Sequence, residues 1–249
     1  MKTMGFMLLG VLGVIAATGT APGWADPAWD QYLGLNPSQK AQLKGVNEKR
    51  KQPLQIVRQD KDDATQNMVG QVKANAGADA LLATLKQVLD DIQVLDKADE
   101  DYWAAISGFL TPTQVAKVYL KGHPPRSTIA PSVQHPNNPN PPFVKWNEYF
   151  GLSKPQSIQL KAADQARNNQ MKPLKEEQEA AVEQLNQLVQ SNAADAALQP
   201  TLTTLFNDLH TEHQVEQSFW GTTLAGFLAP LQMAKIYLHR HPPKAGFTP

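Results

Sequence analysis

The chain has no cysteine, which excludes disulfides, thiolate catalysis and any zinc site built on sulfur. It has no excess of either charge, because 23 Lys and Arg balance 23 Asp and Glu. A neutral chain offers no broad field for nucleic acid or anionic lipid, so neither is an expected partner. Aromatic residues are scarce at 7%, and no segment sustains the alternation of a half-buried strand. Gly-rich phosphate loops, a G-x-S-x-G elbow and an H-E-x-x-H helix are missing. Carboxylates are plentiful but no pair stands out as catalytic, so the chain does not read as an enzyme. Hydrophobic residues make up 41%, enough for a folded protein, but much of this is alanine, which favours elongated helices over a thick core.

What the chain does have is an internal repeat. Residues 29–125 return as 146–243. Trp29, Tyr32, Gly34, Leu35, Gln39 and Arg50 recur as Trp146, Tyr149, Gly151, Leu152, Gln156 and Arg167. Further on, Gly108, Pro112, Gln114, Lys117, Tyr119 and His123 recur as Gly226, Pro230, Gln232, Lys235, Tyr237 and His241. A feature present in both copies belongs to the shared fold; a feature in one copy is special to it.

Residues 1–25 read as an export signal. Met1-Lys2 gives a positive start, residues 4–17 an apolar run, and Gly23-Trp24-Ala25 small residues at the cleavage positions, with the cut expected after Ala25. The run falls short of the ~20 residues of a membrane span, so cleavage rather than a retained anchor is expected, and no later segment is apolar enough to cross a bilayer. Residues 26–121 form repeat 1 and residues 146–243 repeat 2. Residues 122–145 carry seven prolines, which exclude helix and central strand and leave a semi-extended linker. Residues 244–249 are a tail.

Within repeat 1, apolar spacing of three and four predicts a first helix over residues 37–69, bent at Pro53. A turn at 75–77 follows. A second helix begins near Asp79, read as its N-cap, and ends at Gly108, and a short third helix covers residues 112–120 with Gly122 as C-cap. Repeat 2 predicts helices over 154–189, bent at Pro173, over 195–225 and over 230–240. The fold class is all-α: two long helical hairpins, each with a short C-terminal helix. A two-helix hairpin buries too little to stand alone, and the second copy is its expected partner.

Four places read Leu-x-x-x-Gln at a helix start, ending at Gln39, Gln114, Gln156 and Gln232. The pattern is a capping box: Asn36, Thr111 and Ser153 accept from the backbone N–H three residues on, and the Gln reaches back to the cap residue's N–H. Ala229, ahead of Gln232, lacks the acceptor. Two such boxes bracketing a long hairpin behind a signal peptide resemble the Spy/CpxP family of LTxxQ-motif periplasmic proteins. The resemblance implies a cradle of two antiparallel units, here joined in one chain as a monomeric pseudo-dimer. It implies ATP-independent chaperoning or an envelope-stress role with unfolded or partly folded envelope proteins as partners, and a periplasmic location. Chaperone members are strongly basic and this chain is not.

Other residues carry separate expectations. Arg50 and Arg167 interrupt apolar stripes opposite Asp99 and Glu216, and two register-setting ion pairs are predicted. His210 and His213 lie at i, i+3 on one helix face with Glu216 a turn on; two imidazoles and a carboxylate are a ligand set for zinc, copper or nickel. Repeat 1 has Gln93 and Asp96 in place of the histidines, so the site is not part of the shared fold. On that ligand set a divalent-metal sensor or resistance protein is the second reading, with no cofactor required by the first. His123 and His241, each before Pro-Pro, are read as helix-end residues favoured by the dipole. Trp29 and Trp146 are expected to pack an entering strand of chain onto the hairpin end, and Trp103 and Trp220 to be core. Met68, Val72, Leu82, Leu89, Met171, Leu185 and Leu188 are the apolar side chains expected to line a concave client-binding face. A structural helical module of an envelope complex is the third reading.

Overall fold

A computed structural model describes residues 27–125 and 146–243. The expected signal, residues 126–145 of the expected linker, and the tail lie outside the described residues. Among the described residues the fold is all-α, in the order α1 (Pro27–Leu33), α2 (Pro37–Lys73), α3 (Ala78–Ser107), α4 (Pro112–Gly122), α5 (Trp146–Phe150), α6 (Lys154–Gln190), α7 (Asp195–Ser218), a π-helical turn (Phe219–Leu224) and α8 (Pro230–Arg240). No helix among them is long and apolar enough to cross a membrane.

The long helices α2 and α6 have 37 residues each, about 55 Å at the α-helical rise. They run unbroken past Pro53 and Pro173. Each turns back through a left-handed asparagine, Asn75 (φ 49°) or Asn192 (φ 54°). The Ala76 N–H then donates to Gln71 O at 2.9 Å and the Ala193 N–H to Leu188 O at 3.0 Å, the six-to-one bond of a Schellman ending. Asp79 is not the N-cap of α3. Gly77 is, without a side-chain cap bond, because the tight turn hands the chain straight from one helix to the next. Gly122 is the last residue of α4 rather than its cap; His123 is the C-cap, so the helix runs one residue into the expected linker. Trp29 and Trp146 sit in short helices rather than extended chain. Trp29 is buried and Trp146 is exposed.

The two hairpins interlock head to tail. One core joins Met68, Val72, Leu81, Leu85 and Val88 at the tip of hairpin 1 to Phe219, Trp220, Leu224, Ile236 and Tyr237 at the base of repeat 2. The other joins Leu185, Leu198, Leu202 and Leu205 at the tip of hairpin 2 to Leu33, Tyr102, Ile106, Val115 and Tyr119 at the base of repeat 1. Each thin hairpin thus buries its free end under the short helix of the other repeat. Thr113, in the first turn of α4, adds a polar tie across the same contact: its N–H and hydroxyl both donate to Asp195 Oδ1, at 2.9 and 2.6 Å.

The repeats differ in one helix. α3 is continuous, whereas its counterpart passes into the π-helical turn at Phe219, so the single helix expected over 195–225 is interrupted. Trp103 and Trp220 are 117 residues apart, but Gly108 and Gly226 are 118 apart. One extra residue enters repeat 2 between them, and a π-turn absorbs one residue without ending a helix. The result keeps Leu224 fully buried, as Ile106 is in repeat 1.

Candidate functional site

The capping boxes do more than start helices. Asn36 Oδ1 accepts the Gln39 N–H at 2.9 Å and Gln39 Oε1 accepts the Asn36 N–H at 3.1 Å. The reciprocal bonds recur at Thr111/Gln114 and Ser153/Gln156. Ala229 offers no side-chain acceptor, but its N–H still donates to Gln232 Oε1 at 2.9 Å. The spare amide donors then reach across the hairpin base. Gln39 Nε2 donates to Phe109 O and Gln114 Oε1, both at 3.0 Å, and Gln114 Nε2 donates to Gly34 O at 3.2 Å. Gln156 and Gln232 repeat the arrangement with Phe227 O and Gly151 O. These motif residues therefore build the scaffold.

Both expected ion pairs form. Arg50 meets Asp99, and Arg167 grips Glu216 through two nitrogens. Each guanidinium also lies over a ring, Arg50 over Tyr102 at 4.4 Å and Arg167 over Phe219 at 5.4 Å. The second pair is the more buried.

Around these pairs, where α3 and α7 face each other across the repeat boundary, lies a cavity of about 770 Å³. Its walls combine half-buried apolar side chains with charged ones. Trp103 and Phe206, from different repeats, stack at 5.3 Å. Trp103 and Trp220 both line the cavity; Trp220 is buried in one core, and Trp103 is half-buried against the other. At the seam, His210 Nδ1 lies 2.8 Å and His213 Nδ1 3.2 Å from the same oxygen, Glu100 Oε1. Those contacts hold the Glu100 carboxyl below its ordinary range, against the burial that raises it. Asp96, one turn earlier on α3, has His213 Nε2 at 3.6 Å. Burial, and then the nearby Glu100, Glu216 and Glu212, push Asp96 up to about 6, with His213 opposing.

The metal set expected from sequence does not assemble. Glu216 is committed to Arg167, and both histidines turn to Glu100 on the opposite helix. Among the described residues no three His, Cys, Asp or Glu side chains are grouped to hold a metal ion. The expected client face is also corrected. Met68, Val72, Met171 and Leu185 are buried, and Leu188 is half-buried against the same core as Leu185. The other repeat covers Met68, Val72 and Leu185. Leu82 is exposed, and Leu89 alone of the set lines the cavity.

The histidines before Pro-Pro work as neutral rings rather than as cations at a helix end. His123 stacks on Tyr119 at 4.3 Å and His241 packs against Tyr237 at 4.6 Å. Burial pushes both down, His241 to about 4 with Arg240 and Lys61 adding repulsion. Sequence reasoning named Asp96 only as the repeat-1 counterpart of His213 and assigned no role to Glu100; Asp96 standing where His213 stands in repeat 2 was the available signal. Comparisons with protein-family models, with curated proteins and with solved structures give no match.

Proposed function

We propose that the chain is an exported, non-enzymatic binding protein that holds segments of partly unfolded polypeptide in the cavity between its repeats, in the manner the Spy/CpxP resemblance implies. The cavity carries this reading. Its volume of about 770 Å³ falls in the roughly 300–1,000 Å³ range of ligand sites, which pair apolar walls with a few convergent polar groups. Leu89, Trp103, Phe206 and Leu209 supply partly exposed apolar surface, and the seam carboxylates and histidines supply the polar groups. The client surface is then the cavity rather than the outer helix faces, where exposed large apolar residues such as Ile56 and Ile158 lie on different hairpins. The pseudo-dimer of the resemblance corresponds here to two interlocked hairpins of one chain.

The test is suppression of aggregation. A chemically denatured model protein is diluted into buffer with the chain from Asp26 onward at molar equality, without nucleotide, and light scattering is followed. Suppression is expected, and Leu209→Asp, which places a charge on the apolar wall, should abolish it with helicity retained. Unimpeded aggregation beside the wild-type chain would sink the reading.

A further inference from the structure

Resting on the cavity as the binding site, we infer that its occupant is an amphipathic cation: an apolar body laid against Trp103, Phe206 and Leu209, with an ammonium or guanidinium group received at Asp96.

The charges at the seam decide the sign. Asp96 is about one-fifth exposed, and its nearest partner, His213 Nε2 at 3.6 Å, is beyond hydrogen-bond reach. Three further carboxylates, Glu100, Glu212 and Glu216, act on it with the same sign, and only His213 acts against them. The permanent cations nearby are committed elsewhere: Arg167 holds Glu216 and Lys175 lies 3.8 Å from Glu212. Arg50 holds Asp99, and Lys61 on the α2 wall lies 3.5 Å from Asp62 Oδ1. A carboxylate kept among carboxylates in a partly dry cleft is destabilised as an anion, and a ligand cation relieves what the protein leaves uncompensated. Trp103 and Phe206, already stacked on one another, offer a flat wall for the ligand's apolar part.

The same arrangement makes capture pH-dependent. Asp96 is held up to about 6, so its negative charge is present at pH 7.5 and largely gone at pH 5. Unfolded polypeptide supplies such chemistry as segments that pair aromatic or aliphatic residues with Lys or Arg. Small amphiphilic amines supply it too.

The experiment titrates the chain from Asp26 onward with three probes, reading tryptophan fluorescence and calorimetric heat. Two nine-residue peptides share their Leu and Phe content and differ only in Lys against Glu; the third probe is dodecyltrimethylammonium below its micelle concentration. At pH 7.5 the Lys peptide should bind about tenfold more tightly than the Glu peptide, a difference of about 1.4 kcal/mol. At pH 5 that preference should vanish. Asp96→Asn should erase the preference and its pH dependence with helicity and a cooperative melt retained, leaving the Glu peptide unaffected. Binding of the Lys peptide assigns polypeptide as the source; binding of the ammonium amphiphile alone assigns a small amine. Equal binding of the two peptides, or an Asp96→Asn protein that keeps the preference, overturns the cation class while leaving the cavity as a site. No binding of any probe overturns the cavity reading and this inference together.

Discussion

Gln39 donates its side-chain amide to Gln114 at 3.0 Å across 75 residues of chain. Both residues are already occupied, each capping the helix it begins. The link joins the start of α2 to the start of α4 and closes the base of the hairpin. Gln156 and Gln232 make the same link at 3.0 Å in repeat 2. A short motif recurs four times because each copy needs both members of a pair. Gln114→Ala removes the back-bond of the capping box that Thr111 begins and the link to Gln39 and Gly34 O, hydrogen bonds each worth about 0.5–1.5 kcal/mol net. Urea unfolding should show their combined loss, and the Gln39→Ala/Gln114→Ala double variant should lose less than the sum of the two single losses. Strict additivity would show that the link contributes nothing.

The two arginine pairs are equivalent in sequence but not in environment. Glu216 is 10% exposed at its side chain and Asp99 is 55% exposed. Breaking a buried pair strands a charge and costs about 3–5 kcal/mol, whereas partly exposed pairs contribute about 0–1 kcal/mol. Arg167→Ala should therefore destabilise the protein well beyond Arg50→Ala in denaturant unfolding, with part of the Arg50 loss coming from its packing over Tyr102. Equal losses would remove burial as the deciding factor.

Helix positions, the hairpin register and both ion pairs were legible because they follow from local rules: spacing of three and four, caps, and the arithmetic of an antiparallel pair. The cavity was not legible, since it depends on how the two hairpins cross. That crossing also explains the misplaced client face. Met68 and Leu185 are apolar at helical spacing whether solvent or the other repeat covers them. The histidine pair misled for a related reason: one helix face shows which side chains are neighbours on α7, but Glu100 comes from α3. The π-turn, by contrast, was written in the sequence as the step from 117 to 118 in the repeat offset.

That insertion gives a test of its own. Deleting Thr222 restores the offset of repeat 1 and should turn the π-turn into ordinary helix, keeping Leu224 in the core. The deletion should leave unfolding cooperative, with a midpoint near that of wild type. Deleting Ala105, at the corresponding place in continuous α3, should rotate Ile106 out of the core and cost about 2–5 kcal/mol, as losing a large buried side chain does. Comparable losses for the two deletions would contradict the assignment of the extra residue.

Acid should act on the fold in two opposed ways. His241 is held down to about 4 by burial first and then by Arg240, Lys61 and Arg167. Its unfolded form takes a proton near 6.5, so below that value the unfolded state binds more protons and stability falls with pH until about 4. A shift of this size amounts to about 3 kcal/mol, and His123 adds to it in the same direction. Asp96 works the other way. Its folded form binds a proton from about 6 downward, ahead of the unfolded chain, so it favours the native state as pH falls towards 4. Urea midpoints at pH 7.5, 6, 5 and 4 should decline in the wild type. His241→Phe, which keeps a ring against Tyr237 and cannot be protonated, should flatten the decline; Asp96→Asn should steepen it. If His241→Phe tracked the wild type across the whole series, the buried neutral ring would not be the source of the acid sensitivity.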